Sequence, residues 1–122
     1  MVQEDKNLLL VDLCARLPYN TKVFFSIIEE DEPVELSLSI ICCLESIPLG
    51  QNDIVIKPYL RSMKSMTAGE KEELIKNFWG SHTAKDAFEE LSWYLSKHLD
   101  VNGLIPKGLA IAVTEENNPY KE

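Results

Sequence analysis

The sequence predicts a single small α+β domain, residues 1–122, in which an antiparallel sheet packs against two C-terminal helices. Three observations carry this prediction. Apolar and polar residues alternate from Val34 to Glu45, a capping motif opens a helix at Thr67, and an apolar face recurs at helical spacing from Ala84 to Leu99. A chain of 122 residues is long enough to bury a real core. The sheet is expected to be small and could curl toward an open, barrel-like form.

The first element is predicted to be a short N-terminal helix from Asn7 to Leu17. Its leucines and Cys14 recur at helical spacing, whereas Asp12 and Arg16 lie four residues apart on another face. Pro18 follows and ends the helix. The apolar run is short, so a strand is the alternative interpretation.

Three strands are predicted next. The period changes to two at Thr21, in "TKVFFSII", and the acidic run Glu29–Glu32 is interpreted as a solvated turn. Val34–Glu45 is predicted to be an interior strand whose even-numbered residues face the core, so Leu38→Ala should destabilise the fold by roughly 2–5 kcal/mol. The run Ile54–Leu60 is predicted to be a further strand that lies at a sheet edge or ends at Pro58, because proline has no N–H to donate.

Two helices are expected to cover one side of this sheet. Thr67 and Glu70 form a capping box, in which the hydroxyl and the carboxylate each accept one free N–H at the helix start. A second start is predicted at Thr83, and the helix that follows runs toward Asp100. We interpret Trp79 and Trp93 as core or helix–helix contacts rather than binding residues.

The C-terminal segment is predicted to return to the sheet. The stretch "GLIPKGLAIAV" is typical of an extended run that docks on a sheet. The polar residues 113–122 are expected to form a frayed tail.

Composition excludes several partners. The chain has 20 acidic and 12 basic residues, a net charge of −8, and no cluster of Lys and Arg. Direct binding to nucleic acid or to an anionic membrane is therefore not expected. The N-terminus lacks the features of a secretory signal, and no apolar run reaches transmembrane length, so we expect a cytoplasmic protein.

The residues that usually carry chemistry form no recognisable constellation. The odd number of cysteines, Cys14, Cys42 and Cys43, indicates reduced, structural thiols on core faces. His82 and His98 lie sixteen residues apart without metal-ligand spacing, and His98 falls in a last helical turn, where a cation is favoured. We therefore predict no metal, no cofactor and no catalytic residues.

Three stretches together resemble a known group of proteins. They are "DLCARLPYNTKV" (12–23), "IKPYLRSMKSMT" (56–67) and "LIPKGLAI" (104–111). They resemble short uncharacterised proteins of Bacteroides-type gut bacteria and their phages and prophages, in which the patterns DLCARLPYG, KPYLRPMSSMTEEE and GLIPKGLA occur in the same order. This sequence departs from the group at Asn20, Ser62 and Lys64, and residues 29–51 match nothing in it. The resemblance implies a source and an architecture, and no reaction.

The function expected from these observations is non-catalytic. We expect an accessory or regulatory factor that binds a protein, of phage or mobile-element origin. An acidic inhibitor that mimics the charge of nucleic acid is the main alternative, and an enzyme of an unrecognised type comes third. The junction between the third strand and the helix at Thr67 is either a hinge, which we favour, or a partner-binding site. The site would consist of Tyr59, Arg61, Met63 and Met66.

Overall fold

A computed structural model describes residues 2–26, 32–47, 54–78 and 84–120 of the chain. Several predicted features lie outside these residues. They are most of the acidic turn at Glu29–Glu32, Trp79, His82 and the helix start at Thr83.

The small α+β fold is confirmed. The described helices are α1 (Gln3–Arg16), α2 (Leu38–Ser46), α3 (Ala68–Phe78) and α4 (Ala84–Ser96). The described strands are β1 (Lys22–Phe25), β2 (Val34–Glu35), β3 (Ile56–Leu60) and β4 (Ile111–Ala112). Short turns of 3-10 helix occur at Leu17–Tyr19 and Met63–Ser65.

The sheet is mixed and open, which corrects the prediction of an antiparallel sheet that could close. Its strand order is β2-β1-β3-β4. Strand β1 pairs antiparallel with β2 and β3, whereas β4 runs parallel to β3. A parallel pair needs a long crossover between its strands, and α3 and α4 lie in the connection from β3 to β4.

Pro58 lies in an interior strand, so its predicted edge position was wrong. Strand β3 pairs on both sides, with Pro58 opposite Val23 of β1. The Ser26 N–H donates to the Val55 carbonyl at 3.0 Å, and hydrogen-bonded pairs alternate with open ones along an antiparallel ladder. The Val23–Pro58 pair is therefore an open one, and the nitrogen of Pro58 points away from β1. Strand β3 pairs with β4 only from Tyr59 onward. The N–H that Pro58 lacks is therefore not needed for a hydrogen bond to either neighbouring strand.

The predicted strand at 34–45 was wrong, because all but its first two residues belong to loop and helix. The Ser37 hydroxyl accepts the Ile40 N–H at 3.4 Å and caps α2. Leu36, Ile40 and Leu44 are buried, and a spacing of four fits both a strand and a helix face. Ile41 is also buried, as helical spacing requires, whereas Leu38 is exposed.

The core lies between the sheet and the first two helices, so α1 and α2 take the place that was predicted for α3 and α4. The core residues come from α1, α2, β1, β3 and the segment before β4, among them Leu9, Leu13, Val23, Leu44, Leu60 and Leu104. No residue of α3 is buried, and Leu95 is the one buried residue of α4.

A fully buried ion pair lies on α1. Arg16 Nε donates to Asp12 Oδ1 at 2.6 Å, and neither side chain is exposed. Arg16 Nη2 also donates to the Leu99 carbonyl at 2.7 Å, and the Asn102 amide donates to Asp12 at 2.8 Å. The pair, which the sequence placed on a different face from the leucines, is therefore buried and holds the turn after α4 against α1.

Because residues 38–46 form a helix, alanine substitutions at Leu44 and Leu38 should have unequal effects on the stability of the fold. Leu44 is 1% exposed and Leu38 is 64% exposed. Leu44→Ala should lower the free energy of unfolding by about 2–5 kcal/mol through lost burial and a cavity, whereas Leu38→Ala should change it by less than about 0.5 kcal/mol. Urea denaturation of the two variants checks this. A large loss at Leu38 would restore the strand interpretation.

Candidate functional site

The junction between β3 and α3 is a compact, hydrogen-bonded turn. The capping box is confirmed: the Glu70 N–H donates to Thr67 Oγ1 at 3.1 Å, and the Thr67 N–H donates to Glu70 Oε1 at 2.9 Å. The Ser62 hydroxyl accepts the Lys64 N–H at 3.2 Å and starts the 3-10 turn before α3. The start of α3 is therefore determined locally.

Arg61 links this junction to the end of α4. Its guanidinium donates to both Glu70 oxygens, at 2.6 and 2.9 Å, and to the carbonyls of Ser65 and Lys97 at 3.2 and 3.4 Å. Its backbone N–H donates to the His98 carbonyl at 2.7 Å. Chiefly because of the hydrogen bond from Arg61, the pKa of Glu70 is lowered to about 2.

The four residues predicted to bind a partner lie in different environments. Tyr59 is 5% exposed and belongs to the interior, and Met66 is half-buried. Arg61 is engaged with Glu70 and two carbonyls. Met63, at 38% exposed, is the member of the set whose side chain reaches an open apolar surface.

That surface extends from α3 across α4 to Met63 and Val101 beside α4, and we call it the α3–α4 face. Its apolar residues are Met63, Leu74, Ile75, Phe78, Ala87, Leu91, Tyr94 and Val101. It contains two shallow grooves of about 300 and 230 Å³, and both are lined by Glu90. Ile75 of α3 is 55% exposed, and Leu91 and Phe88 of α4 are 44% and 70% exposed. The sequence predicted the apolar face of α4, but the helix was expected to pack that face against the sheet.

Glu90 places a carboxylate in both grooves, and the two helices are acidic overall. The two helices carry six acidic side chains and three lysines. Glu90 accepts a hydrogen bond from the Tyr94 hydroxyl at 3.3 Å, and burial, followed by the charge of Glu90, raises the pKa of Tyr94. The indole of Trp93 donates to Glu73 at 3.2 Å and joins the helices, a helix–helix contact as predicted.

Tyr120 holds the C-terminal segment to the sheet. Its hydroxyl accepts the Lys22 N–H at 2.9 Å and donates to the Tyr59 carbonyl at 2.7 Å, so it lies between β1 and β3. Its ring stacks on His98 with centroids 3.8 Å apart. Burial raises the pKa of Tyr120 to about 12. The chain up to Tyr120 is thus bonded to the fold, which does not fit the expected frayed tail.

His98 differs from its predicted role as a cation at a helix end. It follows α4 with a left-handed backbone, φ 60°, and its Nδ1 is buried without a hydrogen-bond partner among the described residues. Burial, followed by the charges of Arg16 and Arg61, lowers the pKa of His98 to about 4. The imidazole is therefore neutral at pH 7.

The three thiols are exposed, so their predicted place on core faces was wrong. Cys14, Cys42 and Cys43 are all free. The error at Cys42 and Cys43 follows from the strand that proved to be α2. Within residues 2–26, 32–47, 54–78 and 84–120, no three His, Cys, Asp or Glu side chains are grouped as metal ligands would be.

A separate cavity of about 340 Å³ lies between α1, β3 and the segment before β4. Core residues form its base, including Leu9 and Leu44, and Asp5, Lys57 and Lys107 line the rest. The apolar core residues at this cavity are already buried, whereas the α3–α4 face exposes Ile75 and Leu91, so we favour the face as the functional site.

No protein-family model, curated protein or solved structure matches the chain. Among the described residues, no helix has both the length and the apolar character needed to cross a membrane.

Replacing Arg61 and Met63 separately tests whether the junction is held by the arginine. Arg61→Ala should lower the free energy of unfolding by about 1–3 kcal/mol, because it removes charge-assisted hydrogen bonds at a position that is largely shielded from water. Met63→Ala should have a much smaller effect, since its side chain is partly exposed. Thermal and urea unfolding give both values, and equal losses would contradict these assignments.

His98 should make stability depend on pH between about 6.5 and 4. In this range the unfolded chain binds a proton that the folded His98 does not bind, so the free energy of unfolding should fall as the pH falls. His98→Asn suits the left-handed backbone and should flatten this slope, although the variant loses the stacking on Tyr120. His82→Asn is the control, and the same flattening there would contradict the assignment to His98. Glu70 acts in a lower window, where its stabilisation is lost from about pH 4.5 toward about 2.

Proposed function

We propose that this protein is a non-catalytic accessory or regulatory factor that binds a partner protein through the α3–α4 face. The observation that carries the proposal is an apolar helical surface that the described chain leaves uncovered. Helices α3 and α4 together contribute one buried side chain, Leu95, yet expose Ile75, Phe88 and Leu91. Contiguous apolar surfaces of this kind mark interaction sites in folded proteins.

The energetics favour a partner for this surface. Each Å² of apolar area removed from water contributes about 25 cal/mol, so the exposed side chains retain a driving force for association. The grooves on either side of Glu90 accept side chains from another molecule. A partner that fills them would bury Ile75 and Leu91.

The surface is held in place before any partner arrives. Thr67 and Glu70 cap α3, Arg61 ties the start of α3 to the end of α4, and Trp93 joins the helices through Glu73. A preformed surface loses less conformational entropy on binding. Under this proposal the junction between β3 and α3 holds the α3–α4 face in position, and Met63 is the junction residue that belongs to the face.

The proposed setting is the cytoplasm of a bacterium or of a phage-infected cell. Free, exposed cysteines persist in a reducing compartment, which supports the cytoplasm. The phage or mobile-element origin rests on the resemblance of the three sequence motifs.

The acidic mimic is the second candidate, and the net charge of −8 favours it. The two functions differ in how salt affects a complex. A charge mimic is weakened steeply by salt, whereas an apolar interface is affected little.

Capture from the native host tests the proposal. Ile75→Ser with Leu91→Ser removes two exposed residues of the α3–α4 face, and Val11→Ser with Leu38→Ser removes two exposed residues elsewhere. Tagged wild type and the control variant should retain the same partner through a salt titration, and the face variant should lose it while keeping its circular dichroism and unfolding midpoint. Equal capture by both variants would reject the face, and steep loss with salt would favour the mimic.

A further inference from the structure

We infer that the partner segment is an amphipathic helix with an apolar stripe bordered by Lys or Arg. The inference rests on the proposed function and adds the chemistry of the partner to it. The grooves of the α3–α4 face and the negative charge of its two helices each support an amphipathic, basic helix as the partner segment.

The face suits a helix better than a strand. Added strands bind through main-chain hydrogen bonds at a sheet edge, whereas the backbone N–H and C=O groups within α3 and α4 are paired inside the helices. The described edge strands β2 and β4 span only two residues each. What the face offers instead is two grooves that share Glu90, and a helix can present apolar side chains to such neighbouring grooves from positions three and four residues apart.

The charge of Glu90 and of the two helices favours a basic partner. Glu90 lines both grooves, and its carboxylate has acceptor positions beyond the bond from Tyr94. Acidic side chains outnumber lysines two to one on the two helices, with six against three. Glu70 is paired with Arg61 and Glu89 with Lys85, so Glu90, which lines both grooves, is the carboxylate placed to attract a partner.

The same charge argues against a second copy of this chain as the occupant. A symmetric dimer through this face would bring together two copies of the same acidic surface, each with Glu90 at the interface. Like charges brought together at an interface oppose association. A segment of the opposite charge meets no such penalty and gains an ion pair with Glu90.

Two designed peptides test the inference. Both are helical peptides of about 18 residues with leucines spaced three and four apart, and the polar positions are Lys in one and Glu in the other. Fluorescence anisotropy of the labelled peptides against the wild-type protein gives their affinities. The Leu/Lys peptide should bind saturably and at least about tenfold more tightly than the Leu/Glu peptide.

Matched variants show where the Leu/Lys peptide binds. Ile75→Ser with Leu91→Ser should weaken it at least about tenfold, whereas Val11→Ser with Leu38→Ser should leave its affinity unchanged. Glu90→Gln should weaken it severalfold, and Glu45→Gln, an exposed carboxylate on α2, should not.

The remaining outcomes separate the inference from the proposed function. Equal binding of the two peptides, with loss in the face variant, would overturn the basic partner and leave the binding face standing. Binding of the Leu/Lys peptide that is insensitive to the face variant, or no binding at all, would overturn the inference. Sedimentation that shows a dimer abolished by Ile75→Ser with Leu91→Ser would make a second copy the occupant instead.

Discussion

The arrangement of the chain depends on the buried ion pair between Asp12 and Arg16. Both side chains are fully buried, and an isolated buried charge would destabilise the fold by several kcal/mol. The pair gains further hydrogen bonds only when the turn after α4 lies against α1, because the Leu99 carbonyl accepts from Arg16 and the Asn102 amide donates to Asp12. One polar requirement thus determines where the C-terminal half of the chain meets the N-terminal half.

This constraint also accounts for the exposed surface. The turn after α4 is held to α1 and, through the backbone of Arg61, to β3, so only the end of α4 reaches the interior, at Leu95. Helices α1 and α2 already supply the apolar side chains that the sheet requires. The apolar stripe of α3 and α4 therefore points outward, and the capping box and Arg61 hold it there. The binding face that we propose is a consequence of how the core is completed.

Local sequence signals predicted some elements correctly and failed where two structures share a signal. The capping box at Thr67 is complete within four residues and was predicted in atomic detail. The alternation after Val34 was misleading, because buried residues spaced by four suit a strand and a helix equally until Ile41 decides between them. The apolar face of α4, which includes Leu91, was predicted from its periodicity, but periodicity shows only that a face is apolar and not what covers it.

The sequence by itself determined α1, α3, α4, β1 and β3, whose spacing, caps and breakers act within a few residues. The tertiary structure decided which helices cover the sheet, why Pro58 is tolerated in its interior, and why the charged pair on α1 is buried. It also placed the Tyr120 hydroxyl on the Tyr59 carbonyl, 61 positions away, and the Asn102 amide on Asp12, 90 positions away. The physical reason is that hydrogen bonds and burial at such separations exist only after the chain has folded, so no local pattern encodes them.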